Sequence, residues 1–397
     1  MKAGWDLANI GDVCDVVNGG TPKTGVSAYW GGQHQWITPA EMGKRSTPYV
    51  SQTERTITDQ GLQNSSARPL PPQSVILSSR APIGHLVINM TPMATNQGCK
   101  GLVPRGRVDH KFLYYYLGSI VDLLNDLGTG ATFKELSGGK LKEVPIPLPP
   151  LPEQQRIVTL LDEAFDGIAT ARAHAEKNLK NARAIFESHL QSVFDEATEI
   201  GESVVLADLA TDITDGDHMP PPKALQGVPF ITIGNIAKDT RTINFSDTFK
   251  VSRDYFDGLK ANKKPQLGDV LYTVTGSFGV PVLVSEKRDF CFQRHIGLVR
   301  PKPGVSSEWL YYLLMSPQVF KQANKGATGT AQKTVSLKVL RGYRVPRVSL
   351  AIQLTTVAKL DALFEETQRL EVLYQRKLSA LDELKKSLLT QAFSGAL

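Results

Sequence analysis

Polar turns closed by glycine, each bearing a basic or amide side chain, are where this sequence concentrates its capacity for chemistry. One set is Thr21/Lys23, Ser79/Arg80, Gln97/Lys100 and Thr132/Lys134, with Thr38 at the end of a short apolar strand. A second set stands at corresponding points further along: Lys223, Thr275/Ser277, Gln293/Arg294/His295 and Thr330/Lys333, with Asn235 after the matching strand. Lys, Ser and Thr side chains hold phosphates, whereas Arg, Gln and Asn can engage base edges bidentately in a major groove. A lone lysine in a turn is ordinarily just solvated, so the weight lies in the recurrence of the group.

The patterns that power catalysis are missing. The chain has no GxxxxGK[ST] phosphate loop, no HExxH, no paired CxxC and no GxSxG elbow. The run Met219-Pro220-Pro221-Pro222 is only superficially like the Asn/Asp-Pro-Pro-aromatic motif of an amino-methyltransferase. Glu41 and Lys44 fail the usual nuclease spacing, and the seven histidines are scattered. No catalytic residue and no metal ligand is therefore assigned.

Totals narrow the partners. The formal charge of +6 favours a polyanion. A length of 397 residues suits two to three domains, and 41% hydrophobic with 21% charged residues is the balance of a folded, water-facing chain. Cys14, Cys99 and Cys291 are isolated, which fits reduced thiols and a cytoplasmic location. The N-terminus lacks the apolar run of a signal peptide, and no stretch approaches the 18 apolar residues of a membrane span.

The elements that position the turns repeat. An offset of 199 residues lays Leu151–Phe194 on Leu350–Phe393, matching Gln154 with Gln353, Val158 with Val357, Leu161-Asp162 with Leu360-Asp361 and Phe165 with Phe364. One register held over this length predicts two long helices, because an insertion would scramble a buried face. A heptad seam is expected through Leu161, Ala164, Ile168, Ala171, Ala175, Asn178, Ala182 and Ile185, then His189. Its counterpart is Leu360, Leu363, Thr367, Leu370, Tyr374, Lys377, Leu381, Leu384 and Leu388. One seam is Ala-rich and the other Leu-rich, as suits two helices paired with each other, and Asn178 and Lys377 stand as matching polar positions that could fix register. Packing of each helix on its own domain is the alternative.

Upstream of each helix lies a β-rich half. Ser74–Gly84 corresponds to Asp269–Gly279, each a strand, a polar turn and a returning strand. Asn96–Val103 is laid on Phe292–Val299, and Phe112–Leu117 on Trp309–Leu314, a short helix whose aromatics belong to the core. The fold class is thus α+β, a pseudo-twofold tandem repeat. Two β-rich globular domains, 1–150 and 198–348, alternate with two long helices, 151–197 and 349–397, that pair as an antiparallel coiled coil.

Leu148-Pro149-Pro150-Leu151-Pro152-Glu153-Gln154-Gln155-Arg156-Ile157-Val158 and Leu388-Leu389-Thr390-Gln391-Ala392-Phe393-Ser394-Gly395, with Ser78–Gly84 and Phe292–Ile296, carry a resemblance over essentially the whole chain. The sequence resembles the specificity (S) subunit of type I restriction–modification enzymes. Thr275-Gly276-Ser277-Phe278-Gly279 departs from the Ser-Arg-Ala-Pro run, and the second helix lacks the Pro-Glu-Gln-Gln entry. The resemblance implies a non-catalytic subunit that reads double-stranded DNA with two target-recognition domains. It implies recruitment of two methyltransferase subunits and, through them, restriction subunits, with S-adenosylmethionine, ATP and Mg²⁺ on those partners. A helix of about 44 residues rises roughly 66 Å, more than one DNA turn, so a bipartite target with an unread spacer is expected. Two rival readings remain at this point: an enzyme that also cleaves through an unrecognised Mg²⁺ site, and a coiled-coil adaptor without DNA contact.

Overall fold

The computed structural model describes residues 2, 4–130, 134–219, 221–330 and 332–397. The chain divides into two compact units, one of residues 1–175 and 376–397, the other of residues 176–375.

In the first unit a five-stranded sheet has the order Cys14–Asn18, Cys99–Pro104, Val75–Ser79, Ile83–Asn89 and Tyr49–Val50. Its central strand, Val75–Ser79, is buried along its whole length, which explains its unbroken apolar start. Alternation then assigns the two faces. Val75 and Leu77 pack with Phe112, Leu113 and Leu117 of the helix His110–Ser119. Ile76 points the other way, to Ile37, Met42, Met93 and Cys99. Beside this stands a three-stranded sheet of Thr56–Ile57, Trp30–Ile37 and Met93–Thr95, in which the last two strands run parallel.

The second unit repeats the plan. A four-stranded sheet has the order Ala210–Asp215, Ile296–Pro301, Val270–Thr273 and Pro281–Leu283. Val270 and Tyr272 face Trp309, Leu310 and Leu313 of the helix Ser307–Met315, while Leu271 faces Ile231, Val282 and Phe292. Its three-stranded sheet is Phe249–Val251, Val228–Ile231 and Cys291–Phe292. In both units the chain leading into a long helix is a strand rather than a free linker: Pro145–Leu148 pairs with Asp6–Asn9, and Arg344–Arg347 with Glu202–Val205.

The long helices run Leu151–Ile200 and Leu350–Ser394. Gly395, at φ +82°, ends the second in the left-handed conformation that glycine adopts without strain. Within each unit the start of one helix lies antiparallel to the end of the other. In the first, Arg156 Nη2 donates to the carbonyl of Leu397 at 2.9 Å and Arg172 pairs with Asp382. In the second, Arg183 meets Glu371 at 3.0 Å and the Phe186 and Phe364 rings lie 5.2 Å apart.

The seam differs from strict heptads. Leu161, Ala175, Ala182, Leu360 and Thr367 are buried, and Ala164, Ile168, Ala171, Leu363, Leu370, Tyr374, Leu381 and Leu388 are half-buried. Asn178, Ile185, His189, Lys377 and Leu384, however, are exposed. Their neighbours take over: Leu179, Phe186 and Leu190 in one helix, Leu378 in the other. A straight helix drifts by about 20° per heptad against a 3.5-residue repeat, and one four-residue step corrects the drift. Both copies take that step at the same place, Ala175 to Leu179 and Tyr374 to Leu378.

The three cysteines are buried and unpaired, and burial pushes each thiol up to about 12. Among the described residues no helix is long and apolar enough to cross a membrane.

Candidate nucleic-acid interface

A hydroxyl-closed turn is the frame in both units. Ser78 Oγ donates to the carbonyl of Pro82 and accepts the N–H of His85, both at 2.8 Å. Thr273 Oγ1 does the same with the carbonyl of Ser277 at 2.8 Å and the N–H of Val280 at 2.9 Å. A second segment crosses beside each turn. Leu136 N–H meets the carbonyl of Ser79 at 2.9 Å, and Val335 N–H meets that of Val274 at 2.8 Å. Thr129 pairs with Glu135 through the backbone, as Thr328 does with Thr334.

The frame fixes the true correspondence of the candidate turns. Ser79 N–H bonds to Gly98 and Val274 N–H to His295, so Asn96-Gln97-Gly98 matches Gln293-Arg294-His295. This corrects the sequence alignment by one residue and pairs Lys100 with Gly297. The error arose because the intervening loops differ in length, which leaves an ungapped alignment free to slip.

On the first frame several candidates meet. Gly19 and Gly20 pack so tightly that a Cβ would fall 1.9 Å from the Asn96 carbonyl and 2.2 Å from the Ala67 nitrogen. That approach brings Thr21 onto the turn, where its hydroxyl donates to Gln97 Oε1 and accepts Asn96 Nδ2 at 2.9 Å. Arg80 runs alongside Gly98, and Glu135 faces two cations, Arg80 Nη1 at 3.7 Å and Lys100 Nζ at 3.9 Å. Lys100 is buried, and its ammonium pKa is lowered, first by desolvation, with Glu135 opposing. Ser79 is fully buried, and its hydroxyl has no partner among the described residues. Lys134 is exposed and reaches the Asn125 carbonyl at 3.4 Å, and Lys23 is exposed with its carbonyl held by the Trp30 indole at 3.3 Å. Thr38 is a helix cap for Glu41 N–H at 3.2 Å, away from the cluster's hydrogen bonds. Thr132 lies outside the described residues.

The second frame displays different chemistry. Thr275, in the place of Arg80, faces Thr334, in the place of Glu135, with the hydroxyls 3.5 Å apart. Gln293 Nε2 donates to His295 Nδ1 at 2.8 Å, and the histidine's pKa is lowered, first by burial and then by Arg294. Arg294, Ser277, Thr330 and Lys333 are exposed, and Lys223 stands over the Phe249 ring at 5.3 Å. Asn235 is buried: its side chain accepts from Thr232 N–H at 2.9 Å and donates to the Asp247 carbonyl at 2.7 Å. Among the described residues no group of three or more His, Cys, Asp or Glu is placed to hold a metal ion.

The type I restriction modification DNA specificity domain family matches residues 2–180 and again residues 211–375. The chain belongs to this family. The MjaIX specificity subunit of Methanocaldococcus jannaschii is 38% identical over 186 residues, which are 46% of this chain and 43% of that relative. The chain thus spans less than half the length of that relative. The EcoBI specificity subunit of Escherichia coli is 22% identical over 353 residues, 82% of this chain and 74% of the relative. The HsdS subunit from Thermoanaerobacter tengcongensis shares the fold with a TM-score of 0.65 at 19% identity, over 100% of this chain and 98% of its own. A chain from a structure of complex assembly in the type I R-M system matches at a TM-score of 0.81, also 19% identical, covering 100% and 99%.

Asn96 and Glu135 also stand on the first frame, and neither is among the residues that the sequence singles out. Asn96 was visible beside Gln97, with the side chain to close an Asx turn onto Gly98 N–H at 2.8 Å. Glu135 had no local signal, because its partners lie 35 and 55 residues away in the chain.

Proposed function

We propose that this specificity subunit reads a bipartite site in double-stranded DNA, one half-site by each unit. The observation that carries the reading is one frame bearing two reader sets. The turns closed by Ser78 and Thr273 are alike in their framing hydrogen bonds, whereas the side chains they present differ, from Arg80 and Gln97 to Thr275 and Arg294. A shared hydrogen-bonded frame with exchanged donors and acceptors is what reading two unlike short sequences requires.

In this reading the chain contributes recognition and its partners contribute reaction. Two methyltransferase subunits dock on it and bring the restriction subunits. S-adenosylmethionine, ATP and Mg²⁺ reside on those partners in the cytoplasm, and the chain itself is not catalytic.

The test is a domain exchange read by methylation mapping. The cut falls after Leu148, so that Asp6–Asn9 travels with the strand it pairs with. Replacing residues 1–148 with the equivalent segment of a relative, in cells that carry the methyltransferase, is expected to change one half of the methylated sequence and spare the other. A change in both halves would overturn the reading.

A further inference from the structure

Beside each reader turn stands an aromatic pair capped by one cation, and the two instances are made of different residues. In the first unit the Arg55 guanidinium lies 3.8 Å above the Trp30 ring, which meets Trp36 edge-on at 5.0 Å. In the second the Lys223 ammonium lies 5.3 Å from the Phe249 ring, which stacks on Phe230 at 4.8 Å. Trp36 and Phe230 are equivalent. Each lies in the strand parallel to the segment that leads into the reader turn, opposite Ala94 and Cys291 respectively. Each also precedes an isoleucine whose carbonyl accepts the first N–H of that turn, from Asn96 at 2.9 Å and from Gln293 at 3.0 Å.

The cations arrive by different routes. Arg55 comes from the strand segment opposite Trp36, while Lys223 comes from the turn before Val228–Ile231. Both cations are exposed, and among the described residues neither forms an ion pair. A guanidinium held over an indole and uncontested by a carboxylate keeps N–H donors available, which suits a phosphate. In the first unit the aromatic pair also grips the reader loop. The Trp36 indole donates to the Gly20 carbonyl at 2.9 Å and the Trp30 indole to that of Lys23 at 3.3 Å. Charge and reader are thus held by one rigid group.

We propose that Arg55 on Trp30 and Lys223 on Phe249 are equivalent phosphate clamps, each gripping the duplex backbone beside the half-site its unit reads. The inference rests on the reading of this chain as a DNA reader and adds backbone contacts that carry no base preference.

The test uses the full chain assembled with its methyltransferase partner. Affinity is measured from 50 to 200 mM salt for a duplex with the methylated sequence and for a mixed-sequence duplex. One phosphate contact contributes about 0.9 to the log–log salt slope, so over this fourfold range it accounts for about 3.5-fold in affinity. R55Q and K223Q should each flatten the salt dependence by that factor on both duplexes, and the double variant by about 12-fold. R55K should keep the wild-type slope, and the methylated sequence should stay the same in every variant. An unchanged slope in R55Q or K223Q with intact wild-type binding overturns the clamp at that residue, and a changed methylated base shows base reading instead. A wild-type complex with no affinity for either duplex overturns the DNA reading itself, and the clamps with it.

Discussion

The side-chain oxygen of Gln154 accepts the backbone N–H of Asp109 at 2.8 Å, tying the start of a long helix to the cap of the short helix on the sheet. Its amide donates to the Pro149 carbonyl at 2.8 Å and the Arg107 carbonyl at 2.9 Å, so every polar atom of a fully buried side chain is used. Gln353 does the same with Ser306 N–H at 2.8 Å and with Val348 at 3.0 Å and Gly304 at 3.4 Å. Two turns further on, the Tyr115 hydroxyl donates to Asp162 as that of Tyr312 does to Asp361 at 2.6 Å.

Replacing Gln154 by Leu keeps the volume and strands a buried N–H and two carbonyls. The expected loss is about 2–3 kcal/mol of stability. Q353L should cost about the same in the second unit. Urea unfolding of the full chain checks both, and a shift below about 0.5 kcal/mol would show that water substitutes for the amide.

Glu135 is expected to act through Arg80. E135Q removes the carboxylate that faces both Arg80 and Lys100, freeing the guanidinium while leaving a buried ammonium without its counter-charge. The methylated sequence should relax at one position of one half-site, and the other half-site should be unaffected. T334V, at the matching uncharged place, should leave the first half-site as it was. Methylation mapping of the two variants decides whether this ion group orients a reader.

His295 gives the second unit a pH dependence. Its folded-state pKa lies below the ordinary histidine value of about 6.5, first because burial disfavours the imidazolium. The unfolded chain therefore takes up the proton first. The stability His295 contributes is complete above pH 6.5 and is lost as pH falls through the lowered value. Protonating Nδ1 also removes the acceptor of the Gln293 amide. The stability gap between wild type and H295Q should accordingly shrink between pH 7.5 and pH 5.5 in urea titrations, and a gap that widened on acidification would reverse the sign.

How far the sequence could be read depended on how local each signal was. The match of Gln154 with Gln353 survived because nothing is inserted between helix start and helix end, so a single offset held. Val75-Ile76-Leu77 and Val270-Leu271-Tyr272 announced central strands by their unbroken apolar character. Asn235 and Thr38, in contrast, stand out in the sequence by residue type alone. Asn and Thr serve caps and turns as readily as bases, and here Thr38 caps a helix while Asn235 bonds to Thr232 and Asp247. Arg55 stayed hidden because its value comes from Trp30, which only the pairing of Thr56–Ile57 with Trp30–Ile37 brings near.

The helix seam yields the sharpest contrast between adjacent residues. A strict heptad count places Lys377 and Asn178 in the interface, but Leu378 and Leu179 are the more buried members of each pair. Leu378 packs at 8% exposure, so L378A should lose about 2–3 kcal/mol through transfer and cavity terms. K377A, one residue away and on the exposed face, should stay within about 0.5 kcal/mol of wild type. The same order should hold for L179A against N178A, with a smaller cost because Leu179 is only half-buried. Replacing Lys377 by Leu tests the point from the other side. If the position were a polar seam residue, the change would add packing and raise the urea midpoint; on an exposed face it adds only apolar surface and leaves the midpoint where it was. Equal losses in K377A and L378A would mean that the four-residue step at Tyr374 does not occur in solution.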